Sequence, residues 1–301
     1  MLHSNITPEQ KRKNFKAAIN SGKALQFPGA FNAVSAKLIE DHGFDGVYIS
    51  GAVIAADLGL PDIGLTTASE VTGRAQQIAR MTDLPTLADA DTGFGEVLNL
   101  ARTVQMFEDA GISAIHIEDQ VNPKRCGHLD GKAVVGDEQA QQRIASAVKA
   151  RRDSNFQIFA RTDIRGVEGL DAAIVRAKLL QDAGADAIFA EAMASLEEFA
   201  AIRKAVDVPI LANMTEFGKS DLFTVSELEK IGVNIVIYPV SLLRAAMGAA
   251  ERALKTLKAD GSLKAELETM QTRSRLYELL DYKNYEAFDN SVFNFKLGKD
   301  Q

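Results

Sequence analysis

Short apolar segments recur along the chain, and amphipathic stretches with helical spacing lie between them. The stretches with the clearest helical pattern are Val97–Ala110, Glu138–Arg152, Gly169–Ala183 and Leu196–Ala205. The eight segments predicted to be strands are Ala24–Phe27, Gly46–Ser50, Pro85–Asp91, Ala114–Asp119, Gln157–Asp163, Ala187–Glu191, Pro209–Asn213 and Asn234–Pro239. Strict alternation of strands and helices predicts an α/β fold, a closed (β/α)8 barrel of the TIM type. The alternative is an open doubly wound sheet, which the absence of G-x-G-x-x-G after the first strand disfavours.

The chain from about residue 241 onward extends beyond what eight barrel units need. Its apolar pattern at Leu242, Leu243, Ala246 and Met247 predicts a helix that packs on something outside the barrel, and a neighbouring subunit is our expectation. The aromatic-rich segment Tyr282–Phe295 is interpreted as a further packing element. We therefore expect one barrel domain over residues 1–301 with a C-terminal helical extension.

Composition narrows the class of protein. The 301 residues carry a net charge of −7 with a pI near 5.3, which disfavours nucleic acid as a partner but not a small anionic substrate in a local basic pocket. The single cysteine, Cys126, allows no intramolecular disulfide and fits a reducing cytoplasm. The polar N-terminus and the lack of a long apolar run predict a cytoplasmic enzyme without a membrane anchor.

Polar side chains stand at the ends of consecutive predicted strands. In a barrel these ends meet at one face, where active sites lie. Because side chains alternate along a strand, two polar residues spaced by two share a face. The residues concerned are Tyr48, Ser50 and Gly51, then Asp89 and Asp91, His116 and Glu118, Arg161 and Asp163, Glu191, and finally Asn213 and Thr215.

The carboxylates at these ends predict a metal site. Asp89, Asp91 and Glu118, with Asp62 from the loop after the second strand, would crowd negative charge that a cation relieves. Oxygen-only ligands suit Mg2+, with Mn2+ as the alternative. The residues alone indicate these carboxylates as a candidate metal site without dividing them into ligands and neighbours.

The loop after the fourth strand contains the only cysteine. Lys124, Arg125 and His128 flank Cys126, and nearby cations favour a reactive thiolate. Such a thiol suits proton transfer, although a lone cysteine is also often a small buried hydrophobe. His116, in mid-strand, is either a hydrogen-bonded core residue or a functional one.

These motifs together resemble the isocitrate lyase and phosphoenolpyruvate mutase superfamily. The signature loop reads Lys124-Arg125-Cys126-Gly127-His128-Leu129. Further matches, in order, are Tyr48-Ile49-Ser50-Gly51, Asp89-Ala90-Asp91-Thr92-Gly93-Phe94-Gly95, Ile117-Glu118-Asp119-Gln120 and Asn213-Met214-Thr215-Glu216. The resemblance spans about residues 24 to 273, and Ala52 departs from it where a glycine is expected.

The resemblance implies a Mg2+-dependent carbon–carbon lyase and a homo-oligomer, a tetramer. The short chain and Lys124-Arg125 before the cysteine indicate the branch that cleaves 2-methylisocitrate to pyruvate and succinate in the methylcitrate cycle of propionate breakdown. The alternatives are isocitrate cleavage to glyoxylate and succinate, or a non-catalytic barrel that binds a small acid.

The resemblance also implies a role for each site residue. Asp89 and Asp91 would hold the metal, and Asp62 and Glu118 would lie behind them. Cys126 would protonate the nascent succinate carbanion, with Lys124 and His128 beside it, and Tyr48 is the candidate base for the substrate hydroxyl. The residues expected to bind the di- or tricarboxylic acid are Ser50, Gly51, Ala52, Gly127, Arg161, Glu191, Asn213, Met214, Thr215, Arg244 and Arg273. Phe189 and Ile237 are candidates for the pocket that holds the methyl group.

Overall fold

The computed structural model describes residues 4–125, 127, 131–218 and 220–293, and its eight strands all run parallel. They are β1 Leu25–Pro28, β2 Val47–Ile49, β3 Thr86–Asp89, β4 Ala114–Glu118, β5 Gln157–Thr162, β6 Ala187–Ala190, β7 Ile210–Asn213 and β8 Ile235–Tyr238. Each of the eight lies within a residue or two of its predicted segment. From β2 to β8 each strand pairs with the next one in sequence, and β1 pairs with β8.

The β1–β2 seam is the narrowest part of the sheet. There Gly29 and Tyr48 form a single parallel bridge, and Ala30 N donates to Tyr48 O at 2.9 Å. The bridge completes a nearly closed ring, so the predicted (β/α)8 barrel is confirmed.

Helices alternate with the strands. They are α1 Pro8–Ile19, α2 Ala33–Asp41, α3 Gly51–Asp57, α4 Ala68–Ala79, α5 Val97–Asp109, α6 Asp137–Ala150, α7 Arg165–Glu168, α8 Leu170–Asp182, α9 Leu196–Ala205, α10 Val225–Lys230, α11 Ser241–Asp260, α12 Arg273–Leu279 and α13 Tyr282–Phe293, with a 3-10 helix at Lys264–Thr269. A capping box formed by Thr67 and Glu70 begins α4.

The core has two layers. Inward side chains of the strands fill the barrel, among them Phe27, Phe159 and Phe189, while a second layer lies between strands and helices. Helix α1, which the sequence analysis did not identify, closes the N-terminal end of the barrel by packing Phe15 and Ile19 against the inner layer. The opposite end of the barrel, at the C-terminal ends of the strands, is not covered by α1, and the candidate active site lies there.

The C-terminal extension is helical, as expected. Every residue of α11 is at least partly exposed, over a helix that the structure describes in full. Its apolar Met247 and Leu254 are 60% and 65% exposed. Phe288 of α13 is also exposed, whereas Tyr282 stacks on Tyr277 of α12 with ring centres 4.9 Å apart; Asn294 and Phe295 lie outside the described residues.

Across the described part of the chain, no helix combines the length and the apolarity that crossing a membrane requires.

Candidate active site

A cavity of about 260 Å³ opens at the C-terminal ends of the strands. Thirteen of the residues proposed from the sequence line it: Tyr48, Ser50, Ala52, Asp62, Asp89, Lys124, Gly127, Arg161, Phe189, Glu191, Asn213, Thr215 and Arg244. The strand ends thus bring together side chains that lie up to 196 residues apart in sequence, from Tyr48 to Arg244.

Asp89 and Asp91 converge, although not by strand alternation as expected. Strand β3 ends at Asp89, and Asp91 follows it with a left-handed backbone, φ 46°. Asp91 N donates to Asp89 Oδ1 at 2.9 Å, which fixes the turn. A Cβ on Gly51 would lie 2.9 Å from Asp89 Oδ2 and 3.3 Å from Asp91 Oδ1, so only glycine lets α3 begin against both carboxylates.

Lys124 and Arg161 neutralise the acidic groups only in part. Burial and the charge of Asp89 raise the pKa of Asp91 to about 6, although Lys124 opposes the shift. Burial also raises the pKa of Glu118 well above its usual value, and its Oε1 makes no hydrogen bond within the described residues. An added cation would relieve both effects, so these oxygen donors fit Mg2+.

The donors would not complete a coordination sphere alone. Within residues 4–125, 127, 131–218 and 220–293, no three His, Cys, Asp or Glu side chains are already grouped as metal ligands. Water would therefore supply several positions, which is usual for Mg2+ because it sheds its hydration shell reluctantly.

Lys124 links the loop after β4 to these carboxylates. Its buried ammonium lies 2.8 Å from Asp91 Oδ1 and also contacts Asp62. Although burial lowers the pKa of Lys124, the surrounding carboxylates outweigh it and raise the pKa above its usual value. Lys124 is therefore a permanent cation at the rim of the acidic pair.

Arg161 is surrounded by carboxylates at the end of β5. Its Nε donates to Asp163 Oδ2 at 2.9 Å and lies 3.3 Å from Glu118 Oε2, and its Nη2 lies 3.5 Å from Glu191 Oε2. The guanidinium carbon also stands 5.1 Å from the centre of the Phe189 ring. These contacts fix the guanidinium plane beside the cavity.

Tyr48 and His116 form a buried pair below the cavity. Tyr48 Oη lies 2.7 Å from His116 Nε2, and the two rings stack. Burial raises the pKa of Tyr48 well above its usual value and lowers the pKa of His116 to about 4. Both groups are therefore neutral near pH 7. His116 is thus a hydrogen-bonded core residue that contacts Tyr48, which lines the cavity, and both interpretations of His116 are compatible with this position.

Arg244 approaches the cavity from the first turn of α11. Its Nη1 donates to Thr215 Oγ1 at 3.1 Å and to Glu216 O at 2.7 Å. On the neighbouring strand, Asn213 Nδ2 donates to Glu191 Oε1 at 3.3 Å. The side of the cavity formed by β6, β7 and α11 is thus hydrogen-bonded and polar.

Several proposed residues lie elsewhere. Met214 is buried in the layer outside the barrel, since its side chain points away from the cavity, and Ile237 lies in the inner layer below it. Arg273 begins α12 and is exposed, away from the other two arginines, because the extension carries it along the side of the barrel. Cys126 and His128 lie outside the described residues.

Sequence reasoning missed some residues that the structure brings to the site. Asp163 was noticed only as a polar strand end, although it is fully buried against Arg161. Lys132 was not considered, because it lies after the signature loop and no motif distinguishes it from the other lysines of the chain. Glu216, Phe217 and Val240 also line the cavity, and alternation could not predict them because they follow strand ends.

The chain was compared with known proteins. The family model described as phosphoenolpyruvate phosphomutase matches residues 15–258. A Corynebacterium glutamicum protein named probable 2-methylisocitrate lyase 2 is 57% identical, over 98% of this chain and 96% of that protein. The Escherichia coli 2-methylisocitrate lyase is 45% identical, over 93% and 96%.

Solved structures agree with these relatives. A crystal structure of 2,3-dimethylmalate lyase, a member of the PEP mutase/isocitrate lyase superfamily, has a TM-score of 0.88 at 32% identity and covers 95% of this chain and 96% of that one. Oxaloacetate acetylhydrolase in complex with 3,3-difluorooxalacetate has a TM-score of 0.89 at 32% identity, with 95% and 98% covered. The chain therefore belongs to the phosphoenolpyruvate phosphomutase family, within the PEP mutase/isocitrate lyase superfamily.

Proposed function

We propose that this enzyme is a carbon–carbon lyase that cleaves 2-methylisocitrate to pyruvate and succinate. The observation that carries the proposal is 44–58% identity, over nearly the whole chain, to relatives named 2-methylisocitrate lyase. The cavity supports it, because Arg161, Lys124 and Arg244 place three cations around a space that ends in an acidic pair. A small acid with several carboxylates and a hydroxyl matches that arrangement of charge.

Asp89 and Asp91 are proposed to hold Mg2+, with Mn2+ as the alternative, and Asp62 and Glu118 to lie behind them. When bound, the ion would stabilise the negative charge that develops on the oxygen of the hydroxy-acid end. The proposal is supported by the oxygen-donor chemistry of the two buried carboxylates and by the raised pKa of Asp91, which a bound cation would lower.

The protein's own groups would move the protons and hold the carboxylates. Tyr48 is proposed to accept the hydroxyl proton while it passes its phenolic proton to His116 Nε2, 2.7 Å away. The carbon–carbon bond then breaks, the oxygen becomes the keto group of pyruvate, and the electron pair stays on the succinate fragment. The thiol of Cys126 would deliver a proton to that carbon. Arg161 would bind a substrate carboxylate throughout.

We propose a homo-oligomer, a tetramer on the family resemblance. The exposed apolar side of α11 supports it, as does an apolar groove of about 430 Å³ lined by Pro28, Leu38, Phe44 and Tyr238. Light scattering on the purified protein should give a multiple of the 32.5 kDa chain mass. A monomer at micromolar concentration would contradict this assembly.

We also propose a role in the methylcitrate cycle, on the family resemblance, and a cytoplasmic location, which the single cysteine supports. The test of the reaction itself is a product assay: with Mg2+ and 2-methylisocitrate, the enzyme should release pyruvate and succinate in equal amounts. No pyruvate above the enzyme-free rate would contradict the proposed function.

A further inference from the structure

Lys132 is buried at the edge of the site, although no motif drew attention to it. Its side chain is 4% exposed, and Nζ donates to Gly127 O at 2.5 Å and to Asp163 Oδ1 at 2.9 Å. A buried ammonium is tolerated only when it is paired and hydrogen-bonded. We name these two hydrogen bonds the Lys132 bridge, because they join the loop after β4 to the end of β5.

The Asp163 end of the bridge is rigidly held. The side chain of Asp163 is fully buried, its backbone N donates to Asp119 Oδ1 at 2.9 Å, and Arg176 Nη1 holds Asp119 at 2.6 Å. Arg161 Nε donates to the second carboxylate oxygen of Asp163 at 2.9 Å. Asp163 is therefore a fixed anion shared between two cations, Lys132 and Arg161.

The Gly127 end of the bridge lies directly on Arg161. A Cβ on Gly127 would lie 2.5 Å from Arg161 Nη2 and 2.6 Å from Glu191 Cγ, so the loop backbone packs against the guanidinium without room for a side chain. By drawing in the carbonyl of Gly127, Lys132 keeps this peptide in place. Gly127, Arg161, Asp163 and Lys132 thus form a closed ring of contacts.

The ring controls how much of Arg161 is available to a ligand. Asp163 and Glu191 occupy the Nε and Nη2 side, and within the described residues no hydrogen bond uses Nη1. Without Lys132, the whole charge of Asp163 would fall on Arg161, which would neutralise the guanidinium more fully. With Lys132 present, the negative charge of Asp163 is shared between Lys132 and Arg161, so the guanidinium keeps more of its positive charge for a ligand.

We propose that Lys132 is a positioning residue for substrate binding: through its bridge it sets the place and the free charge of Arg161. The inference rests on the proposed function, since it concerns the carboxylate of the same substrate. It adds a residue that does not touch the cavity and acts through Asp163 and Gly127.

The test compares Lys132→Met with Lys149→Met, a matched substitution of an exposed lysine on α6. Loss of a hydrogen bond between charged groups costs about 1.5–3 kcal/mol, so kcat/KM for 2-methylisocitrate should fall about 10- to 100-fold, mainly through a higher KM. Lys149→Met should equal the wild type. A purely structural role would lower the active fraction, and hence kcat, and leave KM unchanged; that result would overturn the proposal.

Two further variants keep the proposal testable if Lys132→Met does not fold, and they test whether Lys132 acts through Asp163. If Lys132→Met does not fold, Lys132→Gln keeps a donor of similar length without the charge and should still raise KM; an unchanged KM would overturn the proposal. In an Asp163→Asn background, the added loss from Lys132→Met should be smaller than in the wild type, whereas multiplicative losses would exclude action through Asp163. A wild type that releases no pyruvate would instead refute the proposed function.

Discussion

The hydroxyl of Tyr48 lies 2.7 Å from Nε2 of His116, and the two side chains are buried beneath the carboxylate pair. When a neutral imidazole accepts a hydrogen bond at Nε2, its single N–H hydrogen is on Nδ1. That nitrogen faces Asp89 Oδ1 at 3.6 Å. Tyr48, His116 and Asp89 therefore lie in sequence, so that a proton taken from the substrate by Tyr48 would charge His116 beside the Asp89 carboxylate.

Tyr48→Phe tests this arrangement. We expect kcat to fall by about 100-fold or more, the usual contribution of a positioned acid or base. The free energy of unfolding should fall by about 1–3 kcal/mol, because His116 Nε2 loses its partner in a buried site. Steady-state kinetics and urea unfolding measure the two effects. Unchanged kcat in the folded variant would remove Tyr48 from proton transfer.

Removal of the metal should abolish turnover. With excess EDTA, and separately in Asp89→Ala, we expect the rate to fall by at least about a hundredfold, because a bound ion contributes several kcal/mol to stabilisation of developing charge. Asp182→Ala, at an exposed position on α8, is the control and should keep full activity. Full turnover in chelator would mean that the buried carboxylates serve another purpose.

Cys126→Ser separates chemistry from packing at a position outside the described residues. Serine has nearly the same shape but is a far weaker acid, so the variant should fold, bind succinate and pyruvate, and lose about 10²- to 10⁴-fold in kcat. Circular dichroism and calorimetry with the products establish folding and binding. A variant that loses stability but keeps activity would identify Cys126 as a packing residue.

Lys11 should make stability depend on pH. Burial lowers its pKa from 10.5 to about 8, although Asp83 and Glu40 oppose the shift. Between these values the unfolded chain binds more protons than the native protein, so the free energy of unfolding should rise as pH increases from 8 to 10. Urea unfolding of the wild type and of Lys11→Met measures the difference between them. A difference that stays constant over this range would contradict the shifted pKa.

The barrel was predictable because apolar segments and amphipathic stretches alternate with a regular period. Helix α1 was not predicted. Its Lys11 and Arg12 are residue types expected at the surface, although both are buried. Their partners lie 68 to 141 positions away and are mainly backbone carbonyls, for example Ile112 O, which accepts from Arg12 Nε at 2.9 Å. Sequence does not reveal contacts over such separations.

The site was predicted well at strand ends and less well beyond them. Asp89, Arg161 and Glu191 line the cavity from the strand ends, as expected, whereas Asp91 comes to lie beside Asp89 through a left-handed turn. Lys132 and Arg273 follow irregular chain, where no periodicity indicates direction. For this reason Lys132 was not identified from the sequence, and Arg273 was wrongly expected to line the cavity.

The most direct measurement of the central claim is the ratio of kcat/KM for 2-methylisocitrate and isocitrate, each assayed with Mg2+ through release of pyruvate or glyoxylate. A well-fitted pocket distinguishes one methyl group by about 10- to 200-fold. Phe189 lines the cavity beside Arg161 and is the candidate wall for that methyl group. We predict a ratio of about tenfold or more in favour of 2-methylisocitrate. Equal efficiencies, or a preference for isocitrate, would contradict the account.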